Sequence, residues 1–166
     1  MQNIKVENVI ISVQPDNSEN YQKFLKIVKE KNINVIIANK GDKLIIEKNL
    51  YIIFLWPNSS KFIMENELNN NSIVCKLVYN NFSVLFTGDI EKIAEEQIIN
   101  EYKNTNILQS TILKVAHHGS KSSSIEEFVK LVNPKIALIG VGNNNKFGHP
   151  NIDVIERLNY FRYKNL

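Results

Sequence analysis

Residues 82–89, FSVLFTGD, form an apolar, aromatic-rich run that stops on a glycine and a carboxylate. The run reads as a strand, with Gly88 as the turn at its end. Just upstream, Ser72–Tyr79 alternates and Asn80-Asn81 is hairpin-turn chemistry, so the two runs pair antiparallel. Just downstream a helix opens at Asp89 or Ile90, with Ile93, Ala94, Ile98 and Tyr102 on one face. Strand and helix then alternate. Thr111–Ala116 is a strand. Ser122–Val132 is a helix facing the core with Ile125, Phe128, Val129 and Val132. Lys135–Val141 is a continuous apolar strand, expected to be buried on both sides. Gly142–Phe147 is a loop and Asn151–Phe161 the last helix.

Working outward, Met1–Val13 reads as a strand, broken by Pro15–Ser18, which also supplies N-cap residues. Tyr21, Phe24, Leu25 and Val28 follow helical spacing to about Lys31. Ile33–Ala38 is a short strand, Lys40-Gly41-Asp42 a turn, Lys43–Glu47 and Leu50–Trp56 two more strands, and Asn58–Asn71 a polar loop. A cluster of strands followed by alternation predicts an α/β fold of the α+β type, a mixed sandwich with helices covering sheets. No repeat or linker divides the 166 residues, so a single domain over 1–166 is expected.

A hydrophobic fraction of 43% and a charged fraction of 22% belong to an ordinary globular chain and exclude a disordered one. The longest unbroken apolar run, Leu50–Trp56, is far short of a membrane span, and Met1–Ile11 lacks a secretory pattern. A soluble, cytoplasmic chain is expected. Cys75 is the single cysteine, which excludes an internal disulfide and fits a reducing compartment. The net charge is +3, and of 20 Lys and Arg only Arg157 and Arg162 are Arg. Abundant Lys, Asn and Ile suggest an AT-rich genome, so the charge carries little weight as a sign of nucleic-acid binding.

Three segments hold chemistry at strand ends, the usual place for a site in an α/β fold. They are Thr87-Gly88-Asp89, His117-His118-Gly119-Ser120 and Gly148-His149-Pro150. Asp89 can bridge two divalent metals through its two oxygens, or it can serve as a helix N-cap. His117 and His118 close a strand; on extended backbone they point opposite ways, so one is read as a metal ligand and the other as a substrate or supporting residue. Ser120–Ser124 open a helix whose N–H groups suit a phosphate, although Ser123 and Ser124 with Glu126 and Glu127 also match a capping box. His149 can ligate a metal, act as a general acid or hold a phosphate oxygen; as a loop residue it can equally be solvent-exposed. The carboxylates in Glu91–Glu101 read as a solvated helix face, Cys75 as core and Trp56 as a strand end. No glycine-rich nucleotide loop is present.

Together FSVLFTGD, LKVAHHGS (Leu113–Ser120) and FGHP (Phe147–Pro150) resemble the metallo-β-lactamase domain of ComEC-type DNA-internalisation competence proteins. The linking text fits as well: Asn70–Val74 before the hairpin, Asn133-Pro134-Lys135 before the apolar strand, and an Asn-rich loop before Gly148. The resemblance runs from about Val9 to Leu158. It implies a site in which two divalent ions, zinc or manganese, activate water against a phosphoester. In that family the domain is proposed to degrade the DNA strand that is not imported. Carried over, Asp89 and His118 are metal ligands, and His117 and His149 are catalytic residues that face the substrate or its leaving group.

The chain also departs from the family. The His-x-His-x-Asp-His motif is absent, His117 is the first histidine, and Asp16 and Asp42 are isolated turn residues. The expectation is therefore a partial αββα sandwich, a truncated domain lacking its N-terminal half. Asp89 and His118 alone are too few ligands for a zinc site, so weak single-metal binding, with His149 in reach, is the limit and the isolated chain is expected to be inactive. Missing sheet partners should leave apolar edges or faces exposed, giving poor solubility or association. The expected partners are single-stranded DNA or another phosphoester, and a chain supplying the missing half-domain, which would make this half of a split enzyme. The full-length family is membrane-anchored; no membrane segment is read here. Two alternatives stand beside this reading: a non-catalytic phosphate- or DNA-binding module using the His118–Ser124 loop, and a complete enzyme of another small-hydrolase class.

Overall fold

The computed structural model describes residues 4–14 and 16–164, so the Met1–Asn3 start of the first expected strand and the break at Pro15 lie outside the described residues. A two-stranded parallel sheet, β1 (Asn8–Ile11) and β2 (Asn34–Ile37), is joined by helix α1 (Glu19–Glu30). Ser18 caps α1, its side chain accepting from the Tyr21 N–H at 3.2 Å, as the sequence predicts. A six-stranded sheet follows in the order β3 (Lys43–Glu47), β4 (Leu50–Trp56), β5 (Val74–Tyr79), β6 (Phe82–Phe86), β7 (Ile112–Lys114), β8 (Ile136–Leu138). β3 to β6 are antiparallel neighbours, and β6, β7 and β8 run parallel. The expected α/β class of mixed sheet and helices holds.

Parallel neighbours need crossovers, and here these carry α3 (Lys92–Tyr102) and α4 (Glu126–Val132). Register sorts the side chains. Leu85 is level with Leu113, and Leu113 with Ala137. This row packs with Ile90, Ala94, Ile98, Phe128 and Val132, and with Val154 of the last helix, α5 (Ile152–Lys164), to form the core.

The adjacent row lies on the other side of the sheet. Leu44, Ile52, Leu77, Val84, Ile112 and Ile136 are paired in series across all six strands, an unbroken apolar line. Phe86, Lys114 and Leu138 form the next line on that face. Much of it is open: Phe86 is 41%, Ile136 50% and Leu138 52% exposed. The exposed apolar face expected from the sequence is there.

Four expectations need correction. Lys135–Val141 is not a strand buried on both faces: β8 is three residues long, sits at the sheet edge and has one face covered. The Asn58–Asn71 loop contains a short helix, α2 (Glu67–Asn70), and its Asn70 and Asn71 are fully buried. The buried asparagines are satisfied: Asn71 accepts from Ile63 N and donates to the carbonyls of Ile63 and Glu67. α3 begins three residues after Asp89, because the Lys92 N–H donates across to Ser122 O at 2.7 Å. α4 begins at Glu126, not Ser122, for a reason given below.

Glu101, at the inner end of α3, ties two loops to the helix by accepting from Lys40 and, at 2.7 Å, from Lys61. Those two lysines hold its carboxyl down at about 2. A depressed carboxylate stabilises the fold at pH values above its unfolded value and loses that contribution as pH falls toward 2. In urea titrations Glu101→Gln should lower the unfolding midpoint at pH 7, and the difference from the parent should vanish as the pH approaches 2. The two faces of the sheet should also answer differently to substitution. Leu85→Ala should cost about 2–5 kcal/mol as a core truncation. Ile136→Lys, on the open face, should change stability by less than about 0.5 kcal/mol. In sedimentation it should reduce self-association.

Candidate metal and phosphoester site

The Thr87-Gly88-Asp89 turn is locked from two sides. The buried Thr87 Oγ1 donates to Lys114 O at 2.6 Å, bonding the ends of two parallel strands. Gly88 has φ +54, and a Cβ there would lie 2.6 Å from Ser72 Cβ. Only glycine accepts both conditions. Asp89 N donates to Ser72 Oγ at 3.3 Å and Glu91 N to Asn70 Oδ1 at 3.0 Å, while Trp56 Nε1 holds the Asn70 carbonyl at 2.7 Å. Asp89 does not cap α3: the N-cap position is Glu91, with no side-chain capping bond. Its carboxylate, 40% exposed, is turned instead toward His118.

The histidine pair is not on extended backbone, so the alternation argument fails in its premise. β7 ends at Lys114, and Ala116–Gly119 is a tight turn in which His117 (φ 46, ψ 44) and His118 (φ 54, ψ 22) are both left-handed. Each such residue costs roughly 1–2 kcal/mol when it is not glycine, so the turn persists only because its surroundings hold it. The rings still separate. His118 Nδ1 lies 2.6 Å from the Gly140 carbonyl, which only accepts, so Nδ1 carries a proton and in the neutral ring Nε2 is the nitrogen with the lone pair. That Nε2 is 3.7 Å from Asp89 Oδ1. Two ligands at about 2.1 Å from one tetrahedral ion are about 3.4 Å apart, so the pair fits a shared metal. A ligating histidine whose other nitrogen donates to a carbonyl is the usual supporting arrangement.

His117 turns elsewhere, with its Nδ1 3.3 Å from Glu91 Oε1. The approach does not meet hydrogen-bond geometry, and the buried Nδ1 has no hydrogen-bond partner among the described residues. His149 closes the group, its ring 5.6 Å from that of His117 and 5.9 Å from Phe147, on which it stacks. It is half-buried, not a free loop residue. Asn145 brackets it, accepting from His149 N at 2.9 Å and donating to His149 O at 2.8 Å. Gly119 (φ +79) joins the two histidine loops: a Cβ there would lie 2.8 Å from Pro150 Cβ, and its carbonyl accepts from Asn151 N at 2.8 Å. The sequence-predicted residues Asp89, His117, His118 and His149 therefore do come together. Among the described residues, no group of three or more His, Cys, Asp or Glu is placed to hold an ion.

ComE operon protein 3 of Bacillus subtilis is 32% identical to this chain over 154 residues, covering 93% of the chain and 19% of that protein. Competence protein ComA of Neisseria gonorrhoeae is 33% identical over 105 residues, 63% of the chain and 14% of that protein. Recombination protein 2 of Haemophilus influenzae is 36% identical over 96 residues, 58% of the chain and 11% of that protein. The chain is a relative of the ComEC-type competence proteins. It spans less than a fifth of the Neisseria and Haemophilus relatives and about that share of the Bacillus one. No protein-family model matches it. A Parabacteroides distasonis protein named for an inferred metal-dependent hydrolase activity superposes with a TM-score of 0.47 at 12% identity, over 89% of this chain and 71% of its own. At that level the likeness adds nothing to the fold read from the strands themselves.

In this ComEC relative, sequence reasoning missed the acidic face of α3. Glu91, Glu95 and Glu101 are not a solvated face. Glu91 accepts from Ser122 Oγ at 3.0 Å and Asn66 Nδ2 at 2.8 Å. Glu95 is 0% exposed and accepts from the N–H groups of Ser124 at 2.6 Å and Ile125 at 2.8 Å. The capping-box reading of Ser123 and Ser124 fails, since Ile125 holds the N-cap position and Ser123 Oγ donates to Ala116 O and Ser120 O. Of the N–H groups leading into α4, those of Ser124 and Ile125 are taken by Glu95. The available signal was spacing: 91, 95, 98 and 102 form one helical stripe, and the last two are Ile98 and Tyr102. Lys114, on the open face, was also missed; its Nζ donates to the carbonyls of Gly88 at 3.3 Å and Val115 at 3.1 Å, placing a positive charge beside the Asp89 turn.

Gly119→Ala should push the two histidine loops apart. About 1–3 kcal/mol of stability should be lost, with a change in the His149 ring resonances by NMR. Gly142→Ala, where an added Cβ meets nothing within 4 Å, is the control that should leave those resonances in place.

Proposed function

We propose that this chain carries part of the active site of a metal-dependent phosphodiesterase acting on single-stranded DNA. Asp89 is the bridging carboxylate and His118 a metal ligand, and His117 and His149 face the substrate. The observation that supports this best is the His118–Asp89 pair: 3.7 Å apart, with His118 tautomer and ring fixed by the Gly140 carbonyl. A divalent ion bound there, zinc or manganese, supplies an activated water and polarises the phosphoryl oxygen. The chain's own residues do the rest. Glu91 lies beside the ring of His117, and His149, stacked on Phe147, stands ready to give a proton to the leaving oxygen. DNA as substrate is suggested by relatives named as competence and recombination proteins.

Two ligands are half of what a zinc site needs, and no histidine precedes His117. The remaining donors come from residues outside this sequence, on a His-x-His-x-Asp-His segment. They sit on a half-domain whose own sheet covers the open apolar face, and a separate polypeptide is one source of it. We infer that the 166 residues alone do not turn over substrate, since two ligands are too few for the ion. No helix among the described residues is long and apolar enough to cross a membrane.

Metal analysis of the purified chain, with a single-stranded DNA cleavage assay in added manganese or zinc, tests the proposal. The expected result is weak binding of one ion, lost in both Asp89→Ala and His118→Ala, and no cleavage. Two tightly bound ions, or cleavage that Asp89→Ala abolishes, would overturn the half-site reading. DNA binding that survives both chelation and Asp89→Ala would favour the non-catalytic binding module instead.

A further inference from the structure

The segment that follows the histidine turn is gripped from two helices at once. From α3, the two carboxylate oxygens of Glu95 take the consecutive N–H groups of Ser124 and Ile125. From α5, Arg157 Nη1 donates to the carbonyls of Ser123, at 3.3 Å, and Ser124. Both sets of peptide polar groups around Ser123–Ile125 are thus held by charged side chains from elsewhere in the fold. Ser124 is itself left-handed, with φ +57 and a side chain, a conformation its own chemistry does not favour.

The grip does not end at Ser124. Ser123 Oγ donates to Ala116 O at 3.0 Å and to Ser120 O at 2.9 Å. Those two carbonyls flank His117-His118-Gly119, the run of left-handed backbone. The physical path is continuous: Glu95 and Arg157 fix Ser123–Ile125, and the single Ser123 hydroxyl proton is shared between the carbonyls at the two ends of the histidine turn.

We propose that Glu95 and Arg157 are positioning residues that hold the histidine turn in its left-handed form, so that the place of His117 and His118 opposite Glu91 and Asp89 depends on α3 and α5 gripping the same three peptides. Neither residue touches the histidines. The inference concerns how the turn is held, and it rests on the site proposed above only for its functional meaning.

Burial pushes the Glu95 carboxyl up to about 7, with Arg157 on α5 opposing and Glu96 on its own helix adding to the rise. A raised carboxyl contributes stability below its unfolded value that is lost as pH rises through 7. The ionised form is nevertheless the one whose two oxygens both accept. The hydrogen bonds from the Ser124 and Ile125 N–H groups favour that form and offset part of the cost of burying it.

The test uses the whole chain, NMR and thermal unfolding at pH 8, with Glu95→Gln as the isosteric change, Glu95→Asp as the conservative one and Arg157→Gln from the other side. Glu95→Gln is expected to keep or raise the melting temperature while amide-exchange protection at Ser124 and Ile125 falls at least about tenfold, the loss of a charge-assisted hydrogen bond. The ring resonances of His117 and His118 should shift with it; Arg157→Gln should shift the same signals, and Glu95→Asp should partly restore them. In the parent chain, lowering the pH from 8 to 6 should move the Ser124, Ile125 and Ser123 amide signals together, which keeps the idea testable if a variant fails to fold. It is overturned if the histidine rings stay in place while the Ser124 and Ile125 amides move, whether a variant or the change of pH moves them. Because nothing measured is hydrolysis, an inactive chain and a wrong positioning assignment give different results.

Discussion

Three parallel strands ending at the same level make this site. Phe86, Lys114 and Leu138 are in register across β6, β7 and β8. Counting three residues past the first gives Asp89, three past the second gives His117 with His118 next, and two past the third gives Gly140, whose carbonyl fixes His118. The strand ends are stitched by Thr87 Oγ1 to Lys114 O, Val115 N to Leu138 O and His117 N to Gly88 O. A slip of one residue in either parallel pairing would carry a whole strand's side chains to the opposite face and break up the site together with the core. The placing of these side chains and the packing of the core are here one constraint.

The same register leaves one face of the sheet largely open among the described residues. It sends Leu85, Leu113 and Ala137 under the helices and Leu77, Val84, Ile112 and Ile136 to the other side. A sheet meant to face water on that side would alternate polar residues there. This one instead presents an apolar row from edge to edge, with Lys114 reaching from the next row to the Gly88 carbonyl. The open face thus borders the Asp89 turn. Anything seated on that face would lie beside the Asp89 turn and the His118 ring next to it.

The three motifs were legible because their cause is local: a strand pattern, then a glycine, then a polar residue. The structure brings their side chains together as the sequence suggested. Gly88 and Gly119 were legible as turns, but their tighter role was not. Each is the contact point of two distant segments, Ser72 in one case and Pro150 in the other, and no local pattern encodes that. β8 was misread because an apolar run looks the same whether both faces or one are covered. Glu91 and Glu95 were misread because charge was taken to imply solvent. Their placement on the inner stripe of α3 was visible in the spacing, but their partners, some thirty residues away on the histidine loop, were not.

Those buried carboxylates also bear on the competing phosphate-binding reading. A helix N-terminus attracts anions because its N–H groups lack partners. At α4 the N–H groups of Ser124 and Ile125 are satisfied, and the group satisfying them is itself a carboxylate. A phosphate would have to displace an internal anion held within the protein, against its repulsion and at the expense of the histidine turn. In the folded chain two of the N–H groups that look in sequence like part of an anion cradle already have a carboxylate partner. What remains available for chemistry is the pair that looks outward, His118 Nε2 and Asp89, and a two-ligand pair of that spacing suits a cation rather than a phosphate.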